Sequence, residues 1–344
     1  MSGSNAALSA QEIAASPGWY PLELSSPGLV RLARLDEAAY RDASFLDRRI
    51  LQLQPEQAIV PAAMLGSAAA ALAPQAHYIF HIGHVGSTLV SRLIGELPGF
   101  FSVREPALLR EIALDPARER IWGALDLRDA LGLLARRWRP VQRAVIKASS
   151  FVSEMAERSL ELDATACAIL MFTPALAYLC CIMGGPNSRL ESQALGPSRL
   201  ARLRKRLGGA ADVDPRSEGE WIAMSWLCEM LCLQAAARRC ASRVTWIDFD
   251  QFLAAPHEGL EAAVRALGAA MDPQEIAGLV AGPLMHRYSK APEYAYDTAL
   301  RQQVLASAER EHGTQIRRGM RWLETFAAHP VVDRVLSVRS KATE

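Results

Sequence analysis

The chain has almost no net charge: 38 Lys and Arg stand against 37 Asp and Glu, a formal +1 at pH 7 over 344 residues. Such a balance gives no global field to attract nucleic acid or an acidic membrane, so any polyanion site has to be a local patch. Cys-x-x-Cys is absent among the six cysteines (167, 180, 181, 228, 232 and 240), and no His-rich segment completes a zinc pattern. Reduced core thiols in a cytoplasmic protein are the expectation, with no metal site. Residues Met1 to Ser16 lack a basic start followed by an apolar run, so no signal peptide is expected. An uninterrupted membrane span is missing too. Residues 164–188 carry no charge, but Pro174 interrupts the run, and Gly184, Gly185 and Pro186 close it. A buried strand at Ala166–Phe172 and a packed helix at Ala175–Met183 account for both features.

Half of the residues are hydrophobic and 22% are charged, as in an ordinary globular protein with a full core. Residues 1–74 read as a mixed N-terminal extension. In it, Trp19–Leu22 and Leu29–Leu32 form short strands, Phe45–Arg49 a helical or turn segment, and Pro61–Ala73 a helix stopped by Pro74. Residues 75–344 read as one α/β domain. Strand patterns at Tyr78–Ile82, Phe100–Val103, Ala144–Ile146, Ala166–Phe172 and Val244–Phe249 alternate with helical ones. That alternation predicts a mostly parallel sheet with helices on both faces and the strand containing Ile79 at its centre. Between Gly184 and Gly219 the pattern breaks into a basic insert, and after Asp250 the chain reads as helical, ending with a helix from about Ala299 to Ala328.

The informative stretch is Gly83-His84-Val85-Gly86-Ser87-Thr88, which follows an apolar strand pattern. Leu89, Val90, Leu93, Ile94 and Leu97 come next with the 3–4 spacing of an amphipathic helix. A strand that turns into a helix N-terminus presents several backbone N–H groups and the positive end of the helix dipole, a P-loop-type anion site. Gly83 and Gly86 let the backbone approach the anion, and Ser87 and Thr88 add hydroxyl donors. The kinase-type loop needs Gly-Lys-Ser/Thr, whereas Gly86 is followed directly by Ser87. A glycine-rich turn without a ligand is the plain alternative.

The loop resembles the 5′-phosphosulfate-binding loop of sulfotransferases that use 3′-phosphoadenosine-5′-phosphosulfate (PAPS), where a Lys/Arg-Ser-Gly-Thr/Ser-Thr core ends a strand and starts a helix. Val103-Arg104-Glu105-Pro106 resembles the Glu-Pro turn of bacterial carbohydrate-type sulfotransferases, whose glutamate is the expected general base. Val145-Ile146-Lys147-Ala148-Ser149 resembles the strand ending in Lys-Thr-His, whose lysine faces the transferring sulfonate. The resemblance therefore implies Glu105, Lys147 and His84 as catalytic residues. It implies Gly83, His84, Val85, Gly86, Ser87, Thr88, Lys147 and Arg318 as residues holding PAPS. The acceptor it implies is a small molecule or glycan. Sulfonyl transfer asks for the same groups on chemical grounds: cationic charge for the sulfonate and leaving phosphate, and a base for the acceptor hydroxyl. Structural readings stand beside these roles, a helix-capping carboxylate for Glu105 and a surface lysine for Lys147.

Three positions depart from the family pattern. His84 replaces the loop's Lys or Arg, which makes charge there pH-dependent. Ser149 replaces the histidine of the cytosolic branch, which shifts the base role to Glu105. Phe172 and Cys180 fall where an arginine and a serine would hold the 3′-phosphate. Other cations lie at Arg189, Arg199, Arg202, Arg204, Lys205 and Arg206, at Arg317, Arg318 and Arg321, and at Lys290. Arg317-Arg318-Gly319 is similar to the Arg-Lys-Gly element that clasps the 3′-phosphate, and the two arginine clusters read as solvated helix faces. Two further functions remain open: a non-catalytic nucleotide- or anion-binding protein of the same fold, and a kinase-like phosphotransferase using Asp248 or Asp250 for a metal.

Overall fold

The computed structural model describes residues 8–114, 125–208, 213–287 and 297–332. Three strands form an antiparallel sheet in the order β1-β2-β3: β1 (Trp19–Ser26), β2 (Leu29–Arg34) and β3 (Gln57–Pro61). Five more, β4 (Ala76–His81), β5 (Phe100–Arg104), β6 (Arg143–Lys147), β7 (Ala168–Phe172) and β8 (Val244–Asp248), form a parallel sheet flanked by helices. Its order is β5-β6-β4-β7-β8, so the strand that feeds the glycine loop is central, as the alternation of patterns predicts. Every residue of β5 and β7 is buried, and the unbroken apolar run of β7 is what a sheet covered on both faces selects. The fold is α/β.

The chain divides into two compact units, Met1–Ile79 with Val90–Ala168, and Phe80–Leu89 with Ile169–Glu344. The first unit joins the antiparallel sheet to β5 and β6. Two buried guanidinium groups tie it together. Arg104, at the end of β5, donates from Nε to the Ala43 carbonyl at 2.7 Å and from Nη2 to the carbonyls of Tyr40 and Arg41. These carbonyls close the Glu37–Asp42 helix, where a cation both completes hydrogen bonds and meets the negative end of the dipole. Arg136 does the same for Ile13, Ser16 and Trp19. Burial lowers the pKa values of Arg104 and Arg136 to about 9 and about 10, so both stay charged at neutral pH. Pro61–Ala73 departs from the expected helix: Pro61 ends β3, and the helix is Ala62–Ala69.

In the second unit the expected basic insert is largely a 21-residue helix, Pro186–Arg206, with Pro197 inside it. Two of its arginines are not on a solvated face. Arg199 Nε lies 2.7 Å from Glu229 Oε1 and Arg202 Nη2 lies 3.1 Å from Glu229 Oε2, with Glu229 fully buried on the Glu218–Arg239 helix. A buried carboxylate at that place draws two cations out of solvent, a pairing that helical periodicity does not reveal. The Thr298–Glu324 helix packs on Glu218–Arg239, and Gly319 is one close contact: a Cβ there would lie 2.4 Å from the Gly219 carbonyl oxygen. Among the described residues no helix is long and apolar enough to cross a membrane.

Candidate functional site

In the second unit the loop leaves β4 at His81 and enters the Ser87–Gly95 helix directly. Gly83 (φ 95°), His84 (φ 56°) and Gly86 (φ 61°) are all left-handed. Backbone of this kind turns successive N–H groups toward one concave side, the arrangement that binds oxyanions. His84 is the costly member, because an L side chain enters that region at a penalty and persists there only when its surroundings impose it. The Gly83 N–H points inward, donating to His81 Nδ1 at 3.0 Å, which leaves that ring's proton on Nε2. Gly83 thus serves through its backbone conformation. Ser87 and Thr88 open the helix and are buried, Val85 is fully buried, and His84 is half-buried.

A cluster in the same unit backs the loop. A Cβ on Gly86 would lie 1.9 Å from Phe249 Cε2, so the ring occupies the volume that the missing side chain leaves. Arg301 places its guanidinium 4.7 Å from the centroid of that ring. It also donates from Nε to Asp250 Oδ1 at 2.6 Å and from Nη2 to Thr173 Oγ1 at 3.3 Å. Thr173 in turn donates to Asp250 Oδ2 at 2.7 Å. The two aspartates considered for a metal have other tasks. Asp248 Oδ1 accepts the N–H groups of Asp250 (2.8 Å) and Gln251 (3.4 Å), capping the Phe249–Ala254 helix. Asp250 is neutralised by Arg301. No signal in the sequence singled out Arg301, Phe249 or Thr173, whose importance lies in contacts across about 50 to 160 residues.

In the first unit, Glu105 and Lys147 end adjacent parallel strands, β5 and β6 pairing with Arg104 opposite Lys147. The Lys147 ammonium is fully buried and forms an ion pair with Glu105 Oε1, which removes the surface-lysine reading. Ser149 Oγ donates to Glu105 Oε2 at 3.3 Å, and the Glu105 N–H donates to the Lys147 carbonyl at 2.6 Å. Glu105 is left-handed at φ 47°, directly before Pro106. A residue before proline prefers extended backbone, so this conformation is doubly disfavoured and costs about 1–3 kcal/mol. Lys147 also pairs in register with Ile79, two residues before β4 ends at His81.

The other predicted anion ligands fall differently. Phe172 is buried edge-on against Trp246, ring centroids 5.5 Å apart, and Cys180 is buried with its thiol pushed up to about 11, mainly by burial. Neither carries a cation. Arg318 is exposed in the body of the Thr298–Glu324 helix, and the Gly319 beside it serves packing against Gly219. Lys290 lies outside the described residues.

No family model matches the chain, and no curated protein matches it. Solved structures similar to it are sulfotransferases. The sulfotransferase domain from the curacin biosynthetic pathway is 14% identical with a TM-score of 0.45, covering 78% of this chain and 98% of that one. The sulfotransferase domain from the Synechococcus PCC 7002 olefin synthase is 15% identical with a TM-score of 0.38, covering 73% and 94%. A mouse sulfotransferase complexed with PAP is 12% identical with a TM-score of 0.40, covering 79% and 93%.

Proposed function

We propose that this protein is a sulfotransferase-like enzyme that moves a sulfonyl group from a phosphosulfate nucleotide to a hydroxyl of a small molecule or glycan. The observation that carries the proposal is Glu105, a carboxylate held left-handed before a proline and paired with a buried lysine at the end of the neighbouring strand. A helix cap has no need of such strain.

The residues fit the phosphosulfate end of the donor. The left-handed loop and the first turn of the Ser87–Gly95 helix supply N–H and hydroxyl donors for its oxygens. They do not fit a 3′-phosphate at Phe172 and Cys180, so the donor is held by its phosphosulfate. When bound, that group supplies an electrophilic sulfur on a phosphate leaving group. Glu105 takes the acceptor's hydroxyl proton as the new O–S bond forms. Lys147 holds the Glu105 carboxylate through their ion pair and supplies positive charge for the sulfonate oxygens. The loop stabilises the phosphate oxygen that leaves with the electrons of the broken S–O bond, and Ser149 orients the carboxylate. His84 lies half-buried in the same loop.

A non-catalytic anion-binding protein of the same fold is the second reading, favoured by the apolar character of Phe172 and Cys180. The asparate pairings described above count against the phosphotransferase. A thermal-shift screen with PAP, PAPS, sulfate, and ATP with magnesium separates the three, since a ligand at a hundred times its Kd stabilises by about 2.7 kcal/mol. Stabilisation by PAP without magnesium is expected; stabilisation only by magnesium ATP, or by no nucleotide, overturns the proposal. On the true acceptor, Glu105→Gln is expected to lose about 100- to 10,000-fold in rate while PAP binding persists.

A further inference from the structure

Behind Gly86 stands a cluster that neither anion binding nor proton transfer uses. Phe249 is buried against the Gly86 Cα, and Arg301 is 5% exposed although it carries a full charge. A guanidinium is buried this deeply only when its partners are fixed, and here they include the Asp250 carboxylate, the Thr173 hydroxyl, the Cys181 thiol and the face of the Phe249 ring. Thr173 is anchored in its own right, because Trp226 Nε1 donates to its carbonyl at 3.0 Å. The cluster thus joins the residue after β7, the start of the Phe249–Ala254 helix and the first turn of the Thr298–Glu324 helix.

We infer that Arg301 is a positioning residue for the Gly83–Thr88 loop, acting through Phe249 to hold Gly86 left-handed and, on the function proposed above, to preform the donor's anion site. Glycine has the widest conformational freedom of any residue, so a loop with two glycines keeps one shape only where a wall confines it. Phe249 is that wall, and Arg301 is its brace. With the guanidinium gone, Asp250 loses its cation and the ring loses both its stacked partner and the group that fixes its helix. Gly86 then gains space on the side where a Cβ is now excluded. Lysine preserves the charge without the planar stack or the forked donors, so it recovers only part of the brace. The Thr298–Glu324 helix thus reaches the wall of the loop through the Arg301 side chain.

Amide hydrogen exchange on the full chain without ligand tests this directly. Arg301→Gln is expected to speed exchange across residues 83–88 by about tenfold or more, the size of a desolvated cation–π and ion-pair contribution, with Arg301→Lys intermediate and β5 and β6 unchanged. PAP and sulfate titrations of the same variants should show dissociation constants raised about tenfold or more, in the same order. Loop exchange within twofold of the starting protein, or a uniform rise throughout the chain, overturns the inference. So does unchanged PAP affinity in a variant whose loop has loosened. Should the starting protein bind neither PAP nor sulfate, the proposed function falls while the exchange result still decides the role of Arg301. If Arg301→Gln fails to fold, Phe249→Leu carries the same test, with faster loop exchange expected and no change overturning it.

Discussion

Gly86→Ala is the sharpest probe of the loop, because two separate costs fall on one methyl group. The new Cβ would stand 1.9, 2.2 and 2.5 Å from three Phe249 ring carbons. Ordinary carbon–carbon contact is about 3.5–4.0 Å, so the ring or the loop has to shift by about 1.5 Å. The ring has nowhere easy to go, being 2% exposed and covered by the Arg301 guanidinium. Such overpacking costs about 1–3 kcal/mol. The backbone term is independent, since alanine at φ 61° costs about 1–2 kcal/mol. Together they give a destabilisation of about 2–5 kcal/mol. Unfolding entropy of about 2.1 cal/mol/K per residue over a chain of this length turns that into a Tm lower by about 3–7 °C. Gly28→Ala separates the two costs. Gly28 is also left-handed, at φ 75°, but nothing lies within 4 Å of a Cβ there, so it should show the backbone term alone. Urea unfolding of both variants, of Phe249→Ala and of Gly86→Ala combined with Phe249→Ala gives the steric term as a coupling energy, expected above about 1 kcal/mol. A Gly86→Ala protein no less stable than Gly28→Ala would refute the packing of Phe249 on the loop.

Lys147→Ala should weaken PAP binding and turnover together, and should lower stability by about 3 kcal/mol or more in chemical denaturation, because the Glu105 carboxylate loses its buried partner. Glu229→Ala leaves the Arg199 and Arg202 cations buried in the second unit and is expected to cost about 3–5 kcal/mol by the same measurement, with no separate effect on anion affinity. His77 gives a pH test. Burial, then the neighbouring Arg143, hold its pKa below the usual 6.5, so the unfolded chain takes up the proton more readily than the folded one. Stability is therefore intact above about pH 6.5 and declines as pH falls from there through the lowered folded value. Unfolding midpoints measured between pH 5 and 8 should show that decline, and His77→Gln should flatten it.

Local chemistry made a good part of this protein legible in its residues. A strand pattern, two glycines, two hydroxyl residues and a 3–4 apolar spacing define the β4–loop–helix unit within about twenty positions, and no distant contact is needed to read it. The alternation of strand and helix patterns likewise placed all five parallel strands within a few residues and put β4 at the centre. Glu105 and Lys147 could be proposed from short motifs, but their ion pair could not. It exists because β5 and β6 pair in one register, and that register joins residues about forty apart. The helix at Pro186–Arg206 was hidden by its own glycine and proline, whose local preference is overridden by packing on Glu218–Arg239 and by Glu229. β3 was hidden because its partner, β2, lies a connection away and its two faces do not alternate cleanly. Arg301 is the limiting case. In the sequence it is one arginine among many near a helix start. Only the tertiary structure brings it to Phe249 and Asp250, because a charge is drawn into the interior by partners that the chain supplies from elsewhere.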